Sequence, residues 1–337
     1  MSTPTVHDIV NARYTIRPHV RQTPLVESGA LSERTRATVL LKLETLQVTG
    51  SFKIRGAVHA LKRFAHQCQL RGEPARVVTA SAGNHGRAIA HAARILGVEA
   101  TIFTPRTAPR AKTAPIIASG ARLVTDPPTY DDAERMAREY GAAAGVPYIS
   151  PYNHPDVIAG AGTVGLELVE ARPDLVLVPI GGGGLAAGVA IALKSLTPRT
   201  RVVGVEVAAN PCFTKSLQAG RIVTIEPGPT VADGLSGNLD EGSITFGLVR
   251  SHVDEVVTVE EAAVLEAIRA LMEHERIVSE GAGAVGVAAL LSGAVTAADR
   301  RVGVIVSGAN IDVARLCAIA GAGGDTPPPT GGAGAPA

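Results

Sequence analysis

The sequence predicts an α/β protein with two open, mostly parallel, twisted sheets flanked by helices, a smaller domain being inserted in a larger one. Three observations predict it. Short runs such as residues 175–180 and 302–306 are apolar throughout, the pattern of strands buried on both faces. Such runs alternate with stretches of helical periodicity along most of the 337 residues, the order expected of βαβ units. Several strand candidates also end in turns rich in Gly, Ser and Asn, where a parallel sheet places its ligands.

Residues 1–22 read as a helical lead-in, with Ile9, Ala12, Ile16 and Val20 near helical spacing. A turn at Thr23-Pro24-Leu25 precedes a strand over 39–44. Ser51 then reads as the N-cap of a helix in which Ile54, Ala57, Val58, Leu61 and Ala65 recur at helical spacing. A strand at 76–80 enters the turn 81–86, and a helix from about Arg87 stops at Gly97. Strands at 100–103, 121–124 and 147–149 alternate with helices over 109–119 and 130–144. A Pro- and Asn-rich turn at 150–155 leads into a long helix through Glu170. A strand at 175–180, a helix from Leu185 to Leu196 and a strand from Arg201 to Val207 form another βαβ unit. After a less regular section come helices over 260–274 and 282–292, a buried strand at 302–306 and a final helix to about Ala320. Residues 1–70 and 150–320 are assigned to the larger domain and 71–149 to the smaller. Residues 321–337, nearly all Gly, Ala, Pro, Thr and Asp, read as a disordered tail.

Composition narrows the function. A net charge of +1 without a basic block argues against nucleic acid as partner, and the absence of Trp leaves few platforms for base stacking. No run approaches the length of a membrane span, so no membrane association is expected. Three Cys without paired or metal-type spacing suit a reducing, cytoplasmic setting. A homo-oligomer, dimer or tetramer, acting on a small molecule is expected.

Four stretches carry chemistry. Lys53 falls in a first helical turn, where the helix dipole disfavours a cation. The chain uses six Lys against 26 Arg, so a lysine here suggests an amine that must lose its proton, although a solvated helix-start lysine fits equally. Gly181-Gly182-Gly183-Gly184, between strand and helix, can present backbone N–H groups to a phosphate. The same stretch fits the dinucleotide pattern through Ala186, and Glu206 ends the next strand where a ribose-binding acid belongs, so a nicotinamide-dependent oxidoreductase is a rival reading. Ser81-Ala82-Gly83-Asn84-His85-Gly86 is a second strand-to-helix turn suited to a carboxylate, with His85 reading as a capped or partly exposed histidine. Ser307-Gly308-Ala309-Asn310 is a third, with a hydroxyl for a heterocyclic nitrogen or a helix cap.

Together, in their order along the chain, the four stretches resemble the fold type II (tryptophan synthase β-like) pyridoxal-phosphate enzymes, specifically the serine/threonine dehydratase and serine racemase family. Thr230-Val231-Ala232-Asp233-Gly234-Leu235 and Ser279-Glu280-Gly281-Ala282-Gly283 add to the likeness, which spans roughly residues 5–320. The resemblance implies that Lys53 binds pyridoxal 5'-phosphate covalently and serves as base at Cα. Phe52 then packs on the ring, Asn84 bonds the ring hydroxyl and Ser307 meets the pyridine nitrogen. Gly181, Gly182, Gly183, Gly184 and Leu185 hold the phosphate, and Gly234 and Glu280 lie near the ring. Ser81, Ala82, Gly83, Asn84 and His85 take the substrate carboxylate. The implied reaction is β-elimination of water from L-threonine or L-serine, giving a 2-oxo acid and ammonia. The alternatives are a racemase, or a dehydratase of 3-hydroxyaspartate, phenylserine or a hydroxyectoine-pathway compound. Ala82 stands where serine racemases carry a second Ser, which favours dehydration. The family's divalent-cation site would need a carboxylate near Glu206 that Ala208-Ala209-Asn210-Pro211-Cys212 does not supply, so no metal is assigned, with Glu206 as the only candidate ligand.

Overall fold

The computed structural model describes residues 3–322. From residue 323 on, the expected tail lies outside the described residues, and Gly321 closes the last helix. A capping box opens α1 (Val6–Ile16): the Thr5 hydroxyl accepts from the Asp8 N–H while the Asp8 carboxylate accepts from the Thr5 N–H. β1 (Leu25–Glu27), α2 (Gly29–Thr35), β2 (Thr38–Leu43) and α3 (Lys53–Arg71) follow. Next come β3 (Arg76–Ala80), α4 (Asn84–Leu96), β4 (Glu99–Phe103), α5 (Arg110–Ala118), β5 (Arg122–Val124) and α6 (Tyr130–Ala144). The chain continues through α7 (Pro155–Leu168), β6 (Leu175–Pro179), α8 (Gly184–Leu196), β7 (Arg201–Val207) and α9 (Cys212–Ala219). It ends with α10 (Ile244–His252), β8 (Glu255–Val259), α11 (Glu261–Glu275), α12 (Gly281–Leu291), β9 (Arg301–Val306) and α13 (Val313–Gly321).

Six strands form one sheet in the order β1-β2-β9-β6-β7-β8, parallel except for β1 at the edge. A second, parallel sheet has the order β3-β4-β5 and falls within the segment 71–149. Burial explains why the central strands are apolar throughout. Leu41, Leu177, Val205 and Val304 pack on one face beneath α11 and α12, while Val176, Val178 and Ile305 pack on the other beneath α7 and α8. No described helix is long and apolar enough to cross a membrane.

Three local expectations are corrected. Leu25 is not in a turn but opens β1, paired with Lys42. Residues 147–149 do not form a strand; Tyr148 makes a single bridge to Val78. The less regular section holds α9, α10 and β8, whose half-exposed edge position gives β8 a mixed pattern instead of an apolar one.

Glycines let α7 touch both of its neighbours backbone to backbone. A Cβ on Gly160 would lie 2.6 Å from the Arg55 carbonyl oxygen on α3, and one on Gly188 of α8 would lie 2.4 Å from the Ile158 carbonyl oxygen. The α3 helix is also held by buried charge. The Arg55 guanidinium donates to both oxygens of Glu44 at 2.8 Å and to both of Glu167 at 2.7 and 3.0 Å. Lys42 Nζ meets Glu167 at 2.5 Å, and Thr23 Oγ1 donates to Glu44 at 2.5 Å. Two cations and two carboxylates thus balance where solvent is excluded, with Arg55 1% and Glu44 0% exposed. Arg55→Met would leave buried Glu44 without a cation and Glu167 with Lys42 alone, and the expected loss of stability is about 3–5 kcal/mol. Thermal and urea melting measure it, and a variant as stable as the parent would remove this cluster as an anchor of α3.

Candidate active site

The turns after β3, β6 and β9 face one cleft of about 1490 Å³, at the carboxyl ends of both sheets. Every residue expected at a cofactor or at a substrate carboxylate lines it: Phe52 and Lys53, the 81–85 turn, the 181–185 turn, Gly234, Glu280 and Ser307. What brings the first and last together is a backbone zip. Phe52 N–H donates to Ser307 O, Ala309 N–H donates to Gly50 O, and Ser51 bridges Gly308. Ser51 is therefore not the N-cap of α3. Phe52 holds that position without a side-chain cap, and the buried Ser51 hydroxyl has no partner among the described residues.

Lys53 is the first residue of α3, and its Nζ donates to the Pro151 carbonyl at 2.8 Å and lies 5.2 Å from the Phe52 ring centroid. Burial lowers its pKa to about 8, against the pull of the Glu280 charge. Burial raises Glu280 to about 7, opposed by the hydrogen bond from Asn84 Nδ2 to Glu280 Oε1 at 2.6 Å.

The glycine turn is shaped by its surroundings. A Cβ on Gly182 would lie 2.3 Å from the Tyr152 ring, and Gly183 has φ +83° and space for a Cβ only 2.5 Å from Phe213. A Cβ on Gly181 would lie 3.0 Å from Leu235 Cα, in the turn that also carries Gly234. The α8 helix then starts without a side-chain cap or an acidic residue in its first turn, leaving its opening N–H groups for an anion. α4 starts in the same way after Gly83. Ser307 is buried and its Oγ has only a weak contact, 3.5 Å from Ala282 O. A phosphate cradle, a nearby amine and a neutral hydroxyl fit pyridoxal phosphate.

Two expectations need correction. His85 is not partly exposed: its ring is buried, with Nε2 at 3.1 Å from Ile149 O. Burial, and then the Lys53 charge, push its pKa down to about 3, so the neutral ring carries no proton into the cleft and only its backbone belongs to the turn. Glu206 does not line the cleft. One of its oxygens accepts from Phe213 N–H at 2.7 Å, the other from Thr214 N–H and Oγ1 at 2.8 Å, so it caps α9. That leaves the dinucleotide pattern without its acid and removes the one candidate metal ligand. Sequence reasoning missed Tyr152, whose ring floors the glycine turn and whose hydroxyl accepts from Asp240 N–H at 2.9 Å. Its place in the 150–155 turn gave no signal beyond aromatic scarcity.

Comparison with known proteins agrees with this geometry. The family described as "Pyridoxal-phosphate dependent enzyme" matches residues 16–308. L-threonine ammonia-lyase of Thermotoga maritima is 43% identical over 311 residues, covering 92% of this chain and 76% of its own. The solved threonine deaminase of T.th. superposes with a TM-score of 0.84 at 39% identity, over 92% of this chain and 99% of that one. Maize serine racemase superposes with a TM-score of 0.87 at 33% identity, over 94% and 97%.

Gly182→Ala should drive a methyl into the Tyr152 ring and weaken pyridoxal phosphate binding by about tenfold or more, and Tyr152→Ala in the same chain should recover part of the loss. Cofactor titration measures both, and undiminished affinity in Gly182→Ala would count against the cradle.

Proposed function

Because the chain belongs to the pyridoxal-phosphate dependent enzymes, we propose that it removes water and then ammonia from a β-hydroxy amino acid, L-threonine or L-serine first, leaving a 2-oxo acid. The observation that carries this reading is the half-buried Lys53 amine beside the glycine cradle, facing a turn whose Ala82 and Gly83 have no side-chain acid to offer. The identity to a relative named for L-threonine supports the substrate class.

When bound, pyridoxal phosphate supplies the electron sink that lets a Cα proton and a β-hydroxyl leave. Gly181, Gly182, Gly183, Gly184 and Leu185 would hold its phosphate with the opening N–H groups of α8. Ser307 would meet the pyridine nitrogen as a neutral hydroxyl, Asn84 the ring hydroxyl, and Phe52 a face of the ring. The N–H groups of the turn from Ser81 to His85 would hold the substrate carboxylate at the start of α4. Lys53 would take the Cα proton. Glu280, bonded to Asn84, orients that amide and tunes Lys53 through its charge. A homo-oligomer in a reducing compartment belongs to the same reading.

The lowered pKa gives Lys53 its capacity as base and nucleophile. At pH 7.5 a lysine of ordinary pKa is neutral to about one part in a thousand, and one at pKa 8 to about a quarter. Capture of pyridoxal phosphate by cofactor-free protein should therefore speed up as pH rises through about 8, since the attacking form is the neutral amine. Stopped-flow absorbance between about pH 6.5 and 9.5 follows this, and a flat profile would contradict the assigned amine.

Incubation with L-threonine and L-serine should release 2-oxo acid and ammonia, and Lys53→Ala should release none from either. Turnover surviving in that variant would remove Lys53 as the base. L-serine left after long incubation should still be the L form. Chiral chromatography showing substantial D-serine would favour a racemase instead.

A further inference from the structure

Beyond the cofactor contacts assigned above, a line of polar side chains runs from the cleft rim to Glu280. Arg87 Nη1 donates to Asn310 Oδ1 at 2.7 Å. Asn310 Nδ2 donates to Thr49 O at 2.9 Å and to Asn84 Oδ1 at 2.5 Å. Asn84 Nδ2 in turn donates to Glu280 Oε1 at 2.6 Å. All but the Thr49 carbonyl belong to residues lining the cleft.

The two ends of Asn310 are fixed by groups with no choice of role. A guanidinium can only donate and a backbone carbonyl can only accept, so the Asn310 oxygen must face Arg87 and its nitrogen must face Thr49. That nitrogen then forces the Asn84 oxygen toward itself, which turns the Asn84 nitrogen toward Glu280. Glu280, which as a carboxylate only accepts, calls for the same orientation, so the Asn84 amide is held from both ends. Space is kept for this line. A Cβ on Gly50 would lie 2.6 Å from Asn310 Oδ1, and Gly50 has φ +74°, which disfavours any other residue. Arg87 makes no ion pair among the described residues, although the cleft-lining Lys112 and Arg138 both do.

We propose that Asn310 and Arg87 are positioning residues that set the orientation of the Asn84 amide, holding its N–H₂ group as the donor offered to the bound cofactor's ring oxygen. The proposal rests on the cofactor role of Asn84. With the chain of donors intact, one Asn84 N–H is used by Glu280 and the other stays free for the ring. With Asn310 changed to an acceptor, the Asn84 oxygen loses its donor and meets a like acceptor, so Glu280 alone is left to hold the amide and the group offered to the ring loses its fixed direction.

The test uses the full-length protein carrying Asn310→Asp, which keeps shape and removes the donor, with Arg87→Met, Arg87→Gln and Asn84→Ala beside it. Three quantities are read: the dissociation constant for pyridoxal phosphate, the pH dependence of the bound cofactor's visible absorption, and the melting temperature without cofactor. Asn310→Asp should bind about tenfold more weakly and shift the pH midpoint of the absorption, with little change in melting. Arg87→Met should move both cofactor readouts in the same direction by less, and Arg87→Gln, which restores a donor, should return them toward the parent. If Asn310→Asp does not fold, the Arg87 pair decides. Asn84→Ala weakening the cofactor while Asn310→Asp and Arg87→Met leave both cofactor readouts unchanged overturns this proposal alone. Asn84→Ala leaving the affinity unchanged overturns the cofactor role of Asn84, and the proposal with it.

Discussion

A guanidinium buried between two carboxylates fixes the first turn of α3, and the cleft is built outward from there. Arg55 reaches Glu44 just past β2 and Glu167 on α7, so the strand, the helix and α3 are tied at one point. The planar fork of Arg can serve both carboxylates at once, and a Lys in its place could not. Lys53 lies two residues earlier on the same turn, so its amine inherits this fixed position. On the far side of α7 the glycine contacts set the distance to α8 and the glycine turn that precedes it. Lysine and glycine turn are thus spaced by one helix that meets both neighbours at glycines.

Electrostatics in the cleft follow from burial. Desolvation drives Lys53 down to about 8 and Glu280 up to about 7, so both titrate near neutrality while each favours the other's charged form. His85, equally buried but held on a backbone carbonyl, is pushed far enough down to drop out as a proton carrier. Ser307, Asn84 and the N–H groups that open α4 and α8, which line the same part of the cleft, are neutral. This part of the cleft therefore has two groups that titrate near neutrality, Lys53 and Glu280, among fixed dipoles.

Polar contacts across the cleft mouth join elements that flank the two sheets. Lys112 on α5 pairs with Asp233, and Arg138 on α6 pairs with Asp240, which also receives Asn153 and, through its N–H, bonds the Tyr152 hydroxyl. Tyr152 lies against the glycine turn, so the helices of the smaller sheet and the floor of that turn share one set of contacts.

The amino-acid sequence by itself determined the alternation of elements and the turns that matter: apolar runs for strands buried on both faces, glycine-rich turns at their carboxyl ends, and a lysine where a cation is out of place. These are local signals, set by side-chain period and by backbone freedom at a few positions. Edge elements were less legible, since β1 and β8 are half exposed and carry no uniform pattern. Tertiary structure alone decided which polar groups were already spoken for. Ser51, a plausible cap, is drawn into a bridge with Gly308, and Glu206, a plausible ribose or metal ligand, is consumed by the start of α9. Tyr152, Asn310 and Arg87 gained their places only when distant segments met. Hydrogen-bond partners are chosen by proximity in space, and a residue's chemistry does not state its neighbours.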